Sequence, residues 1–152
     1  MKSLLTKTIL AGAFGALLAT GAMAGPADDA IKARQACMKA NGASMGVFVP
    51  VIKGETKFDA AAVADAVAKV EAACGGWAGW WGADTQKGET LETRAKPEVW
   101  TDAAGFAAAG EAYGKGLGGV KAATDEASFK AAFGAFGGAC KGCHEKFQVP
   151  KG

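Results

Sequence analysis

The sequence predicts an all-α protein built as an antiparallel, up-down-up-down four-helix bundle. Three observations support this prediction. Four stretches of the chain repeat their apolar residues at helical spacing, no run alternates apolar and polar residues as a half-buried strand does, and the connections are short except over residues 75–96. Helices joined by short loops pack as antiparallel neighbours around one core.

The first helix is predicted over residues 27–49. Its apolar residues recur every seven positions, at Ile31, Met38 and Met45, as they do on one face of a helix. Pro50 is expected to end this helix, because a proline has no N–H to donate to the preceding turn.

The second and third helices are predicted from their end signals. Asp59 is a typical N-cap residue that can begin the second helix, and the glycine pair after Cys74 can end it. The third helix is predicted to begin at either Pro97 or Asp102 and to run to Ala123.

The fourth helix is predicted from Thr124 or Asp125 to Phe147 and has the sharpest periodicity. Phenylalanines and cysteines follow one another at spacings of four and three residues, which is the pattern of an a/d seam. They are Phe129, Phe133, Phe136, Cys140, Cys143 and Phe147. Both cysteines are therefore expected to face the inside of the bundle.

The stretch Cys140-Lys141-Gly142-Cys143-His144 carries the chemistry. Two thiols three residues apart, followed at once by an imidazole, are what covalent attachment of one c-type haem requires. Residues i and i+3 lie on one helix face, so Cys140 and Cys143 can bond to the two vinyl groups of one porphyrin while His144 binds the iron. His144 is the only histidine of the chain, which excludes ligation by two histidines.

Two haem-free alternatives remain for this motif. A redox Cys-x-x-Cys usually opens a helix, where the helix dipole lowers a thiol pKa, whereas this motif lies near the end of one. A zinc site would need a fourth ligand, and Cys37 and Cys74 are far away in the sequence. A haem-free thiol-redox or metal-binding helical module is the alternative function of another class.

Glycine is frequent inside the third and fourth predicted helices, where each glycine costs roughly 0.5 to 1 kcal/mol relative to alanine. The positions are Gly114, Gly116, Gly118, Gly119, Gly134, Gly137 and Gly138. Either selection is relaxed in a chain rich in alanine and glycine, or some of these positions allow close approach of helices or of the haem plane.

Trp77, Trp80 and Trp81 are grouped within five residues of the long connection. Such a cluster is typical of a plug at the end of a bundle. A wall of the haem pocket and a partner surface are the alternatives.

The first 24 residues have the features of a secretory signal peptide. Lys2 and Lys7 give a basic start, residues 9–19 are apolar, and Ala22-Met23-Ala24 fits a cleavage site. We therefore expect residues 25–152 to form a single exported domain with no membrane anchor after processing. Covalent haem attachment implies the bacterial periplasm.

Charge excludes one class of partner. Without Lys2 and Lys7 the chain has 15 basic and 15 acidic residues, and no basic run or alternation of basic and aromatic residues is present. We therefore expect no nucleic-acid partner. No residues form a catalytic set apart from the haem site, so we do not expect an enzyme.

Together these residues resemble the class II cytochromes c, and most of all cytochrome c′. The resemblance rests on the haem motif in the last helix and on four further segments, residues 29–35, 51–55, 93–100 and 130–134. Class I cytochromes c carry the motif near the amino terminus instead. The resemblance implies one covalently bound haem c inside the bundle, binding of small gases (NO, CO), unidentified redox partners, and pairing into a homodimer through the first two helices.

The resemblance also implies roles for residues outside the motif. Arg34 and Gln35 match the residues that lie against the haem edge and its propionates, and Met38 matches the position on the distal face. The loop that closes over the same edge corresponds to Thr93, Arg94 and Ala95. Gln148 stands four residues after His144, where cytochromes c′ often have Arg or Lys, so a proximal gas-binding role is not carried over.

Met38 leaves two mechanisms open. In cytochromes c′ an apolar side chain at this position blocks the face without bonding iron and leaves a five-coordinate centre. In low-spin relatives a methionine there ligates iron, and the protein is a six-coordinate electron carrier with His144/Met38-type axial ligation. The Arg34-Gln35 pair favours the first mechanism, whereas the run from Met38 to Gly42 is similar to the low-spin relatives.

Cys37 and Cys74 lie almost symmetrically about the turn at residues 54–56, so on antiparallel helices they would be at similar heights. An exported protein seldom leaves two thiols unpaired, and we predict a disulfide between them. Two buried cysteines that act as small apolar residues are the alternative.

Overall fold

The computed structural model describes residues 25–150. Over this range the chain forms five α-helices, α1 (Pro26–Lys53), α2 (Ala60–Cys74), α3 (Glu98–Thr101), α4 (Ala103–Ala122) and α5 (Glu126–Phe147). The all-α prediction is confirmed, with α3 as an additional single turn before α4. The predicted signal peptide, residues 1–24, lies outside the described residues.

Helix α1 continues past Pro50, so the prediction that this proline ends the helix is wrong. Val51 is 3% exposed and packs in the core, which favours one more turn. The helix ends at Gly54, whose φ of 73° suits glycine. Gly54 N–H donates to the Val51 carbonyl (3.1 Å) and Glu55 N–H to the Pro50 carbonyl (2.8 Å). This cap offsets the hydrogen bond that Pro50 cannot donate.

Aspartate side chains begin three helices. The Asp59 carboxylate accepts from the N–H groups at the start of α2, and Asp125 forms a capping box with Ser128 at the start of α5. Asp102 accepts from Gly105 N–H (3.0 Å) and begins α4. Because Asp102 itself leaves the helical conformation, it divides the predicted third helix in two, and both of the expected starts, Pro97 and Asp102, are used.

The solid core fills one half of the bundle. Helix α1 packs on α2, α4 packs on α5, and α2 contacts α4. Phe48 and Phe129 are completely buried and meet edge to face with centroids 5.7 Å apart. The core residues are Phe48, Val51, Val63, Ala66, Val67, Val70, Leu117, Val120, Ala123, Phe129 and Phe136.

The seam of α5 is only partly buried in this core. Phe129, Phe136 and Phe147 are at most 4% exposed, whereas Cys140 and Cys143 are half-buried. Cys140 packs against the edge of the core, and both cysteines border a cavity in the other half of the bundle.

A disulfide joins Cys37 on α1 to Cys74 on α2, with the two Cα atoms 4.8 Å apart. Cys37 has no exposed surface. The bond closes a sequence separation of 37 residues, which in the chain-entropy model stabilises the fold by about 4 kcal/mol.

Within residues 25–150, no helix combines the length and the apolar composition needed to cross a membrane.

Candidate functional site

A cavity opens between the first half of α1, the loop before α3 and the end of α5. It has two lobes of about 600 and 470 Å³, a size that suits a cofactor or small ligand. The lobes adjoin, because six residues line both: Met38, Trp77, Arg94, Cys143, His144 and Gln148. Cys140 lines the smaller lobe. All three residues of the predicted haem motif therefore border one space.

Burial shifts the pKa values of the motif's three titrating groups toward their neutral forms. Burial raises the pKa of the Cys140 thiol, and the neighbouring Cys143 adds to this shift. Burial also raises the pKa of Cys143. Partial burial lowers the pKa of His144, and the positive charge of Arg94 lowers it further. A neutral imidazole is the form that can bind a metal.

Arg34 lines the larger lobe and has one donor without a partner. Its side chain lies over the Trp81 ring at 4.6 Å, and Nη2 donates to the Thr85 carbonyl (2.7 Å). Arg34 Nη1 and Trp81 Nε1 are buried and have no hydrogen-bond partner. Unpaired buried donors are costly. Two of them in one wall fit a ligand that brings anionic groups, as the propionates of haem do.

The loop of residues 93–95 forms one wall of the larger lobe. Gln35 ties α1 to this loop, because its Nε2 donates to the Glu92 carbonyl (3.0 Å). The Thr93 hydroxyl accepts from Ala95 N–H (3.2 Å) and fixes the turn. The structure thus brings Gln35, Thr93, Arg94 and Ala95 to the cavity that holds the motif.

The same loop is bonded to the residues at the end of α5. Ala95 and Gln148 form an isolated antiparallel bridge. Val149 N–H donates to the Arg94 carbonyl (2.8 Å), and Arg94 Nε donates to the Val149 carbonyl (2.9 Å). Lys96 N–H donates to the Phe147 carbonyl (2.9 Å). This bridge holds the Arg94 guanidinium near His144.

Asp28 anchors the segment that leads into this loop. Its side chain is 1% exposed and accepts from Thr90 N–H (3.0 Å), from the Thr90 hydroxyl and from Leu91 N–H (3.1 Å). The Thr90 hydroxyl bond is the main cause of a lowered pKa at Asp28. The carboxylate therefore fastens the loop to the start of α1.

Met38 and His144 come from opposite ends of the sequence and line the same two lobes. Met38 is half-buried on α1, so its thioether borders the space that the imidazole borders from α5. The structure therefore brings together His144 and Met38, which the sequence analysis named as candidates for the two sides of the haem iron.

Two tryptophans form a wall of the cavity instead of the expected plug at the end of the bundle. Trp77 and Trp81 line the larger lobe, with ring centroids 4.8 Å apart, and Trp81 meets Phe106 edge to face at 4.6 Å. Trp80 packs against Trp77. Trp77 and Trp81 therefore agree with the alternative prediction, a wall of the haem pocket.

Sequence reasoning missed Asn41 and Tyr113, which line the smaller lobe. Asn41 follows Met38 by three residues, so helical spacing could have placed it on the same face. No spacing relates Tyr113 to the motif, because it lies on α4.

Comparison with known proteins decides the family. The family model described as Cytochrome C' matches residues 29–148. The chain belongs to the cytochrome c′ family. This family binds covalently attached haem c, so the predicted family and cofactor are confirmed. Within residues 25–150, no group of three or more His, Cys, Asp or Glu side chains is placed to hold a metal ion, as a zinc module would need.

Relatives within the family resemble the chain over most of their length. Cytochrome c′ of Rubrivivax gelatinosus is 39% identical over 123 residues, which are 79% of this chain and 94% of that protein. Its crystal structure superposes with a TM-score of 0.72 at 37% identity, covering 82% of this chain and 97% of that one. A ferrous cytochrome c′ variant of Alcaligenes xylosoxidans with bound NO superposes with a TM-score of 0.71 at 30% identity, with the same coverage.

Proposed function

We propose that this cytochrome c′ family member is a periplasmic haem protein that binds small gases, NO or CO, at a five-coordinate haem and exchanges electrons with redox partners, and that it is not an enzyme. The observation that carries the proposal is the cavity itself. Its motif side offers the chain's single histidine, and its α1 side offers two thioethers, Met38 in both lobes and Met45 in the smaller lobe alone. The NO-bound relative supports gas binding as the activity.

In this proposal each cavity residue has a defined task. Cys140 and Cys143 would attach the haem, and His144, whose pKa is lowered, would bind its iron. The iron supplies an open coordination position for a diatomic gas. Arg34 and Trp81, whose buried donors have no partner, would bind the propionates.

The loop and the distal residue complete the site. Gln35, Thr93, Arg94 and Ala95 exclude water from the haem edge by closing the loop over it. Met38, which lines both lobes, would fill the other side of the haem as an apolar side chain without bonding the iron.

One observation favours a second function, that of a six-coordinate electron carrier. Met38 borders both lobes together with His144, and a thioether on the open side of a histidine-ligated haem is a known axial ligand that raises the reduction potential. In that case the gas site would be closed.

Visible spectra of the ferrous protein before and after addition of CO separate the two functions. The five-coordinate proposal expects a high-spin spectrum that CO converts readily, and Met38→Leu should leave the spectrum before CO unchanged. Met45→Leu is the matched control, because Met45 lines the smaller lobe one heptad further along α1. A low-spin spectrum that CO barely perturbs, and that becomes high-spin in Met38→Leu but not in Met45→Leu, would establish the electron carrier instead.

A pyridine haemochrome spectrum of the purified protein tests the assignment of the motif. We expect one covalently bound haem per chain, and Cys143→Ser with Cys140→Ser should abolish its retention under denaturing conditions. A fully folded protein without covalent haem would leave the thiol-redox or metal-binding module as the function.

We also propose that residues 1–24 direct export, that residues 25–152 form the single mature domain, and that this domain pairs as a homodimer through α1 and α2. The basic start and small-residue site of the leader support the first part. The amino-terminal sequence of protein from a periplasmic extract should begin near Gly25, and light scattering should give twice the mass of the chain. An amino terminus at Met1 would refute the export signal, and the mass of a monomer would refute the homodimer.

A further inference from the structure

A hydrogen-bond network connects the disulfide to the smaller lobe of the cavity. Asn41 Nδ2 donates to the Cys37 carbonyl (3.0 Å) and lies 3.8 and 3.6 Å from the sulfurs of Cys37 and Cys74. Asn41 Oδ1 accepts from the Tyr113 hydroxyl (2.9 Å). The amide nitrogen of Asn41 therefore faces the disulfide, and the amide oxygen binds Tyr113 on α4.

Tyr113 carries this connection to the haem side. Its hydroxyl oxygen lies 4.0 Å from the Cys74 sulfur, and its ring packs on Phe136 of α5 with centroids 5.6 Å apart. Tyr113 and Asn41 line the smaller lobe together with Cys140. Burial raises the pKa of Tyr113 against the opposing effect of Asn41, so the hydroxyl stays protonated and remains a donor.

The residue type at position 41 is informative. Asparagine is a poor residue for a helix interior, because its amide competes for backbone partners. Leucine would have a similar shape and a better helix propensity, but it would leave the Tyr113 hydroxyl without its acceptor. The network accounts for asparagine here.

We propose that Asn41 is a positioning residue of the haem cavity, through which the Cys37–Cys74 disulfide fixes Tyr113 against the wall beside Cys140. The inference rests on the proposed function, because it concerns the cavity that holds haem. Reduction by a dithiol breaks the S–S bond and forms two S–H groups, while the dithiol becomes a disulfide. The new S–H donors compete with Tyr113 for Asn41, and α1 is no longer bonded to α2, so the Tyr113 ring shifts.

Tyr113 is the only tyrosine of the chain, so ¹³C-labelled tyrosine gives a single set of ring signals that needs no assignment. The holoprotein is reduced at iron with ascorbate and saturated with CO, which makes it diamagnetic. Spectra are compared with the disulfide intact and after dithiothreitol, and the CO dissociation rate is measured on the same samples. Cys37→Ser with Cys74→Ser provides the open state by a second route.

We expect dithiothreitol to move the Tyr113 signals and to change the CO dissociation rate roughly 2- to 30-fold, the range by which residues between two sites change their coupling. Asn41→Leu should remove both responses. Tyr113→Phe, which deletes only the hydroxyl, should remove the response of the rate. Ser128→Ala loosens the α5 capping box far from the network and should respond as the wild type does.

Equal responses in the wild type and in Asn41→Leu would mean that reduction loosens the fold generally, and would overturn the proposal. A wild type that does not respond to reduction or to the paired serine substitutions would overturn it as well. Failure of the proposed function has a different signature. The six-coordinate carrier would not bind CO, but its low-spin ferrous form is itself diamagnetic, so the Tyr113 signals would still test the role of Asn41.

Discussion

Substituting Gly116 by alanine tests whether α4 and α5 touch through their backbones. Gly116 is buried, and a Cβ atom placed on it would lie 2.7 Å from the Cα and 3.1 Å from the amide nitrogen of Phe136. These are backbone atoms of a completely buried residue, so the contact can be relieved only by moving the helices apart.

Gly118 supplies the matched control, since it lies two residues away on the same helix and has no atom within 4 Å of such a Cβ. Gly118→Ala should stabilise the protein by about 0.5 to 1 kcal/mol, because alanine is the better helix former. Gly116→Ala gains the same amount and loses about 1 to 3 kcal/mol to overpacking. The difference between the two variants therefore isolates the clash.

Thermal unfolding of the two holoproteins in the same ligand state measures this difference. At about 4 °C per kcal/mol, Gly116→Ala should melt about 4 to 12 °C below Gly118→Ala. The visible spectrum provides a second measurement, because Phe136 is one turn before Cys140 on α5. Equal melting temperatures for the two variants would show that the helices do not approach as closely as described.

Three further predictions concern the ends and links of the helices. The pKa of Asp28 is lowered in the folded protein from its ordinary value of 3.8. The Asp28 carboxylate therefore stabilises the fold fully above pH 3.8, and this stabilisation is lost as the pH falls through the lower pKa of the folded state. Asp28→Asn should therefore melt lower near neutral pH and show a smaller loss on acidification, which melting curves across this range would check. Asp125→Ala removes the cap of α5 and should cost about 1 kcal/mol in urea unfolding, whereas no change would mean that the box is not formed in solution. Replacing both Cys37 and Cys74 by serine should lower the free energy of unfolding by about 4 kcal/mol, and an unchanged urea midpoint would contradict the bond.

The helix starts could be predicted because their chemistry is local. Asp59 and Asp125 accept from N–H groups within three residues, so a short stretch of sequence contains the whole interaction. The end of α1 could not be predicted in this way. It depends on the burial of Val51 against other helices, which outweighs the local effect of Pro50.

The residues of the site also divide into those that the sequence predicts and those that it does not. The spacing of Cys140, Cys143 and His144 predicts the attachment chemistry by itself, and the family resemblance led to Arg34 and Met38. The other walls of the cavity come from residues that have no helical spacing relative to the haem motif. The tryptophan cluster is visible in the sequence, but no spacing predicts that Trp81, in the long connection, contacts Phe106 on α4. Such contacts are set by how the loop folds back, and a sequence gives no direct signal for that.

The hydrogen bonds between residues 94–96 and residues 147–149 have a consequence for assembly. The loop can be held over the cavity only after the residues that follow α5 have been made, since those residues supply its partners. One wall of the cavity therefore depends on the residues that follow α5, and a chain that stopped at Phe147 would lack the hydrogen bonds between Val149 and Arg94 that hold the loop beside Cys143.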